Sequence, residues 1–401
     1  MTAHTFPTND RPARWGAVFA LTLCVSTLIA SEFMPVSLLT PVSADLQVTE
    51  GQAGQAIAVS GLFAVLTSLL IATVSRGVDR RRLLLGLTSL MLVSGLIVAL
   101  APSYTVLMVG RAMLGIVIGG FWSLSTAVVM QLVPPRDLPK GLALLNGGNA
   151  LATTIAAPLG SFLGQFIGWR GAFFIVVPLA AIVLVWQFLS LPSMPSDRRA
   201  IRANALALLR RREAAIGIAG VTLLFMGQFA LFTYLRPFLD TTTGISVSIL
   251  SLILLIMGLA GAVGSALIPK VIARSLRTAL VGAPVGLALL GLALIGLGRD
   301  GLATGTLLAL WGLVGTAAPV AWWTWLSRTL PDDAEAGGGL MVAAIQLAIT
   351  LGAAAGGLLF DAGGYQATFG ASALILLAAA AVASVAPLRH RTADTSARAS
   401  T

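Results

Sequence analysis

Glu32 and Arg111 are the residues of this chain whose chemistry is hardest to reconcile with their neighbours. Glu32 sits in LIASEFMPVSLLTP (28–41) and Arg111 in VGRAMLG (109–115), both otherwise almost wholly apolar. A charge at the centre of a bilayer costs about 3 kcal/mol on insertion scales. A carboxylate facing a guanidinium answers part of that cost. The opposite charge favours the ionised acid, whereas desolvation favours the protonated one. Such a balance makes a proton-operated switch. The competing reading is a static buried pair that orders two helices. A third is an arginine that is structural without touching the acid. All three stay open on the sequence alone.

The other fourteen of the 15 acidic residues fall in tails, loops or helix ends. The two buried charges also agree in depth. Each lies about six to eight residues from the outer end of its helix, roughly 9–12 Å at 1.5 Å per residue.

These residues need a membrane frame to hold them. The 401 residues are 57% hydrophobic and only 10% charged, against about 25% charged in soluble domains. The chain is therefore read as an all-α polytopic membrane protein. Arg11 and Arg14 precede the first apolar run as in a signal peptide, but no small-x-small cleavage site follows, so the first helix is read as uncleaved. Twelve apolar runs predict spanning helices at 15–40, 53–75, 83–101, 105–132, 139–166, 170–191, 214–236, 247–269, 278–297, 303–326, 337–360 and 367–387.

With both termini cytoplasmic, every Lys and Arg except Arg111, Arg170, Arg236 and Arg299 lies on the inner side. The formal charge of +10 thus reflects orientation, with some attraction to anionic lipid, and not nucleic-acid binding. The organisation follows: a cytoplasmic tail 1–14, an N-terminal six-helix bundle 15–191, a basic cytoplasmic linker 192–213, a C-terminal bundle 214–387 and a tail 388–401. Within the linker, 203–212 suits a short surface helix.

The two bundles repeat. An offset of 196 places Glu32–Phe33 on Gln228–Phe229, Pro41 on Pro237, Arg81 on Arg277, Gly119 on Gly315 and Pro135 on Pro331. Two parallel six-helix repeats describe the major facilitator fold, with a midplane site between halves that rock about it. Gln228 replaces Glu32 in the second half. An amide donates and accepts without titrating, so any proton site belongs to the first half.

Further lining candidates are Trp122 on the fourth helix, Asn146 and Asn149 on the fifth, Tyr234 on the seventh, Trp311 and Trp322 on the tenth, and Gln346 on the eleventh. Tryptophans can stack on a flat heterocycle. Belt anchoring, packing or helix–helix bonding is the competing role for each.

Several chemistries are not expected. Cys24 is the sole cysteine and the two histidines, His4 and His390, lie in the tails, so no metal site and no disulfide is expected. No Walker A pattern precedes either lysine, so no nucleotide cofactor is expected and uphill transport would draw on an ion gradient. No enzymatic constellation is expected.

SRGVDRRRLL (75–84) resembles the loop between helices two and three of the major facilitator superfamily, with Asp79 and Arg80 matching and the later glycine missing. The resemblance implies a cytoplasmic latch, or gate, at Asp79 and Arg80. VGRAMLG resembles that family's fourth-helix arginine motif, and NALATTIAAPLGS (149–161) its antiporter motif, with Ala157–Pro158 in place of Gly–Pro. EFMPVSLLTPVSADL, GQFALFTYLRPF and PVAWWTWLSRTL are similar to segments of bacterial purine ribonucleoside efflux pumps. The resemblance implies a monomeric, proton-driven antiporter of the bacterial inner membrane, exporting inosine- or guanosine-like nucleosides and purine analogues. Glu32 and Arg111 would couple protons. Trp122, Asn149, Gln228, Tyr234, Trp311, Trp322 and Gln346 would hold the solute. A multidrug or sugar exporter, a uniporter without proton coupling, and a non-transporting sensor remain alternatives.

Overall fold

A computed structural model describes residues 13–75, 77–195, 205–330 and 334–387. The expectations for the tail 1–14, for residues 196–204 of the linker and for the tail 388–401 therefore fall largely outside the described residues. Among those described, the chain is helical and contains no strand.

The helices are α1 (Trp15–Phe33), α2 (Leu39–Leu46), α3 (Glu50–Val74), α4 (Arg80–Ala99), α5 (Tyr104–Leu132), α6 (Leu138–Phe174), α7 (Val176–Ser190), α8 (Arg212–Phe232), α9 (Leu235–Phe238), α10 (Val247–Arg274), α11 (Leu276–Leu297), α12 (Gly301–Thr329) and α13 (Ala334–Val385). Side chains cap many of them where the sequence places Ser, Thr or Asp. Thr49 and Gln52 form a reciprocal capping box on α3. Asp79, Ser246, Ser275 and Asp300 start α4, α10, α11 and α12.

Ten described helices are long and apolar enough to cross a membrane, and two of them are too long for one crossing. The run Lys140–Ser190 has 51 residues, about 76 Å of helix against a hydrocarbon core of about 30 Å. It breaks at Gly168, whose φ of 71° and ψ of 169° lie outside any helix. The α13 run breaks likewise at Gly363 and Gly364. Twelve crossings result, six in each bundle.

The expected first and seventh helices end earlier than predicted. The 15–40 span stops at Phe33 and passes through a 3₁₀ turn, Met34–Ser37, into α2. Pro35 lacks the N–H that would continue the ladder. The 214–236 span stops at Phe232 and passes through α9, which contains Pro237, and a π turn at Leu239–Thr243. In the linker, the expected surface helix is a 3₁₀ segment, Ala205–Arg210.

The duplication is visible in side-chain detail. Arg81 Nη2 donates to the Phe188 carbonyl at 2.7 Å. Arg277 Nη1 donates to the Ser384 carbonyl. The 196-residue offset relates both donors and both acceptors, so each half ties its third helix to its sixth by the same staple.

Each bundle has its own apolar core. Leu21, Leu28, Met91 and Phe121 centre the first, and Trp311, Trp322, Trp325 and Leu287 the second. Large apolar side chains such as Leu70, Leu189 and Leu302 lie on the outer surface, as a protein solvated by lipid requires. The halves meet through α3 against the first limb of α13, α6 against α10, and α2 with the 3₁₀ turn against α9.

Candidate functional site

Arg111 reaches its position because α5 lies unusually close to α3. A Cβ added at Gly115 or Gly119 would lie 2.2 Å from the Ser60 or Ala64 carbonyl. The Arg111 side chain is only 1% exposed. Its Nε donates to the Ala56 carbonyl at 2.9 Å and Nη1 to the Ser31 carbonyl at 2.7 Å. Nη2 donates to the Glu32 main-chain carbonyl at 3.2 Å and to Ser60 Oγ at 3.0 Å. Its α1 partners, the Ser31 and Glu32 carbonyls, lie where Pro35 interrupts the helical ladder, so Arg111 welds the end of α1 to the middle of α3.

The Glu32 carboxylate is not part of this weld. Among the described residues it forms no ion pair within 4 Å, and it points instead across the junction between bundles. Its Oε1 accepts from Gln346 Nε2 of α13 at 3.4 Å. Arg111 is the charged group that faces it. The pairing considered from matched depth thus takes a different form: the arginine holds the backbone of residue 32, and an amide of the other half holds its side chain.

Around this contact runs an aromatic seam. Phe33 of α1 faces Phe229 of α8, which also contacts Phe225 at 6.3 Å and Phe232 at 5.6 Å. Val36, Ile57, Ala58, Ile349 and Ala353 are the other buried members of the cluster. The phenylalanines were not singled out from sequence. The signal was present, because Phe33 and Phe229 are equivalents under the 196-residue offset.

The polar candidates divide into three groups. Gln346 is buried beside Glu32, and its Oε1 has no partner. Gln228 is half-buried against Gly315 of α12, and its Oε1 is also unpaired. Trp311 is buried with an unpaired Nε1. These three offer unused hydrogen-bonding capacity, which buried groups rarely retain.

A second group is committed to protein contacts. Tyr234 donates to the Ala353 carbonyl at 2.8 Å and stacks on Phe360 with centroids 5.3 Å apart. Trp322 packs into the C-terminal core against Gly220 and Trp325. It is only 1% exposed.

Trp122 and Asn149 form the third group. Both are half-buried in the N-terminal bundle, Trp122 edge-on to Phe121 at 6.2 Å. Asn146 lies exposed one turn earlier and donates to the Leu142 carbonyl at 2.9 Å.

Asp79 and Arg80 sit at the start of α4, at the end of the molecule where the linker departs. Asp79 Oδ1 accepts from the Arg81 amide at 2.8 Å and the Met194 amide at 3.0 Å, and Oδ2 from Ser193. Arg80 N donates to the Met194 carbonyl at 3.0 Å. These bonds tie α4 to the start of the linker, all on the N-terminal side. Partial burial pushes Asp79 upward, yet the hydrogen bonds and nearby Arg82 hold it below its ordinary value of 3.8.

The opposite end is closed across the halves. Asp361 of α13 accepts from Thr49 Oγ1 at 2.6 Å and from the Gly51 amide at 3.0 Å, capping α3 from the other bundle. Arg236 donates to the Ser37 carbonyl and pairs with Asp240 at 3.1 Å. Ser248 of α10 donates to Gln165 of α6 at 3.4 Å. Between described residues, the hydrogen bonds that cross the halves involve residues 32–55 and 165 with 234–248 and 346–361. These lie at the closed end and near the midplane. No metal-binding cluster occurs among the described residues.

Comparison with known proteins agrees with this architecture. A model of the Major Facilitator Superfamily matches residues 19–338. The chain is 54% identical over 388 residues, covering 95% of it and 96% of the relative, to a Pseudomonas aeruginosa protein named Transcription regulatory protein OpdE. It is 43% identical over 370 residues, covering 92% and 93%, to Purine ribonucleoside efflux pump NepI of Salmonella typhimurium. Among solved structures, a bacterial homologue of the human lysosomal transporter Spinster superposes with a TM-score of 0.77 at 16% identity over 94% and 98% of the chains. The nucleoside transporter NupG superposes with 0.72 at 13% identity over 92% and 98%. Twelve crossings, a duplicated six-helix unit and the family match over most of its length make this chain a member of the Major Facilitator Superfamily.

Proposed function

We propose that the protein is a proton-coupled antiporter that exports small neutral solutes, foremost purine ribonucleosides and their analogues, by alternating access. The observation that carries this reading is Glu32, a buried carboxyl bonded across the halves to Gln346. Proton binding there changes the strength of a contact between the moving parts, as a switch of this kind requires. The unpaired amides of Gln228 and Gln346, the Trp311 indole and the Phe33–Phe229 seam supply stacking faces and directional polar groups. Those suit a flat, uncharged, hydroxylated heterocycle. The name of the Salmonella relative supports the same substrate class.

In this reading the termini lie in the cytoplasm, as the distribution of Lys and Arg favours. The closed end then faces outward and the protein rests open to the cytoplasm in the bacterial inner membrane. It works as a monomer, needing only its solute, protons and the bilayer. Asp79 and Arg80 act at the cytoplasmic gate.

Uptake into inverted vesicles with and without a proton gradient tests the proposal. Gradient-dependent accumulation of inosine, lost in Glu32→Gln, is expected. Transport of an antibiotic or sugar with no purine uptake overturns the substrate class, and counterflow unaffected by pH in wild type selects a uniporter.

A membrane-embedded regulator is a second reading, favoured by the name of the 54% identical relative. Reconstituted protein that binds a solute but moves none across liposomes would select it.

A further inference from the structure

The hydrogen bond from Gln346 to Glu32 leaves one end of the amide idle. With Nε2 turned to the carboxylate at 3.4 Å, Oε1 is buried and has no partner. Gln346 itself is only 5% exposed. An amide is ambivalent, with two donors at one end and an acceptor at the other. Which end faces Glu32 follows from what Glu32 offers. An ionised carboxylate only accepts, and so draws the NH₂. A protonated carboxyl also donates, and its O–H is best satisfied by the amide oxygen.

We propose that Gln346 converts the protonation state of Glu32 into the donor or acceptor character of the solute site. While Glu32 is ionised, Gln346 presents its free oxygen. When Glu32 takes a proton from the aqueous side, its O–H donates to that oxygen, the amide turns over, and the NH₂ is presented instead. Gln228 Oε1 is a second unpaired acceptor in the same bundle. The ionised site therefore selects a neutral heterocycle carrying a ring N–H, such as a lactam. In the protonated site Gln346 opposes that N–H with a donor, and the hold on it weakens. Solute and proton then exclude each other without occupying the same atoms.

The groups around Glu32 leave this task to Gln346. From α5 the charged group is Arg111, and its four bonds go to three main-chain carbonyls and Ser60. From the second half, Gln346 is the side chain that donates to the carboxylate. Gln346 is thus a positioning residue that acts through Glu32 and meets the solute with its opposite end.

The inference rests on the transport reading above, and the test separates the two. Binding of inosine and of 1-methylinosine, which lacks the ring N–H, is measured on full-length protein in nanodiscs at pH 6 and pH 8. The preference for inosine is expected to grow at least fivefold from pH 6 to pH 8 in wild type. It should be small and independent of pH in Gln346→Met, and equally flat in Gln346→Asn, whose amide is too short to span the contact. Proton-driven uptake in wild type with a preference that does not change with pH overturns the inference and leaves the reading intact. A Gln346→Met or Gln346→Asn protein that keeps the wild-type dependence also overturns it. Failure of wild type to bind either probe overturns the purine reading and the inference together.

Discussion

Phe33 and Phe229 occupy equivalent positions in the two repeats and meet ring to ring across the halves, with centroids 5.7 Å apart and planes tilted by 32°. A residue and its own repeat counterpart can touch only near the axis that relates the bundles. The pair therefore marks that axis, and Glu32 and Gln228 precede the two rings in sequence.

If a flat solute stacks on this pair, Phe33→Ala and Phe229→Ala should each weaken its binding by about tenfold, roughly 1.4 kcal/mol. The double variant should lose less than the product of the two, because the rings share one ligand. Counterflow assays with inosine and with a non-aromatic sugar measure this. Equal losses for both solutes would assign the rings to packing alone.

Asp361 should govern the closed end. Its carboxylate accepts two hydrogen bonds at the start of α3, and bonds to a charged group contribute about 1.5–3 kcal/mol each. Asp361→Ala should raise the labelling rate of a cysteine placed at Ala354, measured with an impermeant maleimide from the outer face, by about fivefold or more. Cys24 is the only native thiol and is buried, so background labelling is low. An unchanged rate would mean that Tyr234 and Arg236 hold the seam without it.

Arg111→Lys preserves charge but not the weld. One ammonium cannot reach the Ala56, Ser31 and Glu32 carbonyls and Ser60 Oγ together. At least one buried carbonyl loses its partner, at about 1–3 kcal/mol. The melting temperature in detergent should fall by several degrees, on the order of 2–4 °C per kcal/mol. Wild-type melting would argue that α1 and α3 are held by packing.

Asp79 predicts an acid-side effect of definite sign. Its value is lowered in the folded protein, so the stability it contributes is full above the ordinary value of 3.8 and is lost as pH falls through the lower folded value. Melting temperatures between pH 5 and pH 2.5 should fall less steeply in Asp79→Asn than in wild type. Parallel curves would show that Ser193 and Met194 bind the amide as well as the carboxylate.

Much of this architecture was legible in the sequence. The apolar runs, the arginine-bearing loops and the 196-residue offset are periodic signals that accumulate over many residues. The breaks at Phe33 and Phe232 were not, because apolarity continues past them and only Pro35 and Pro237 hint at a change of path. Glu32 and Arg111 stood out because a charge in hydrocarbon is expensive wherever it points. Their partners could not be read, since depth along a helix says nothing of rotation about it. Trp322 illustrates the same gap: helical spacing places it on a stripe with Trp311 and Trp325, and only the glycines of α8 decide what that stripe faces.

The matching arginine staples have a mechanical consequence. Each bundle is riveted to itself at the end where the linker departs, whereas the hydrogen bonds between bundles lie at the other pole and near the midplane. If the halves rock as proposed, such fastening puts stiffness in the limbs and compliance at one hinge, like a pair of tongs. With α3 about 37 Å long at 25 residues, a tilt of about 10° at the hinge swings the far tips by roughly 6 Å. Small changes in a few bonds near the pivot are thereby geared up into a gap wide enough for a ring-shaped passenger.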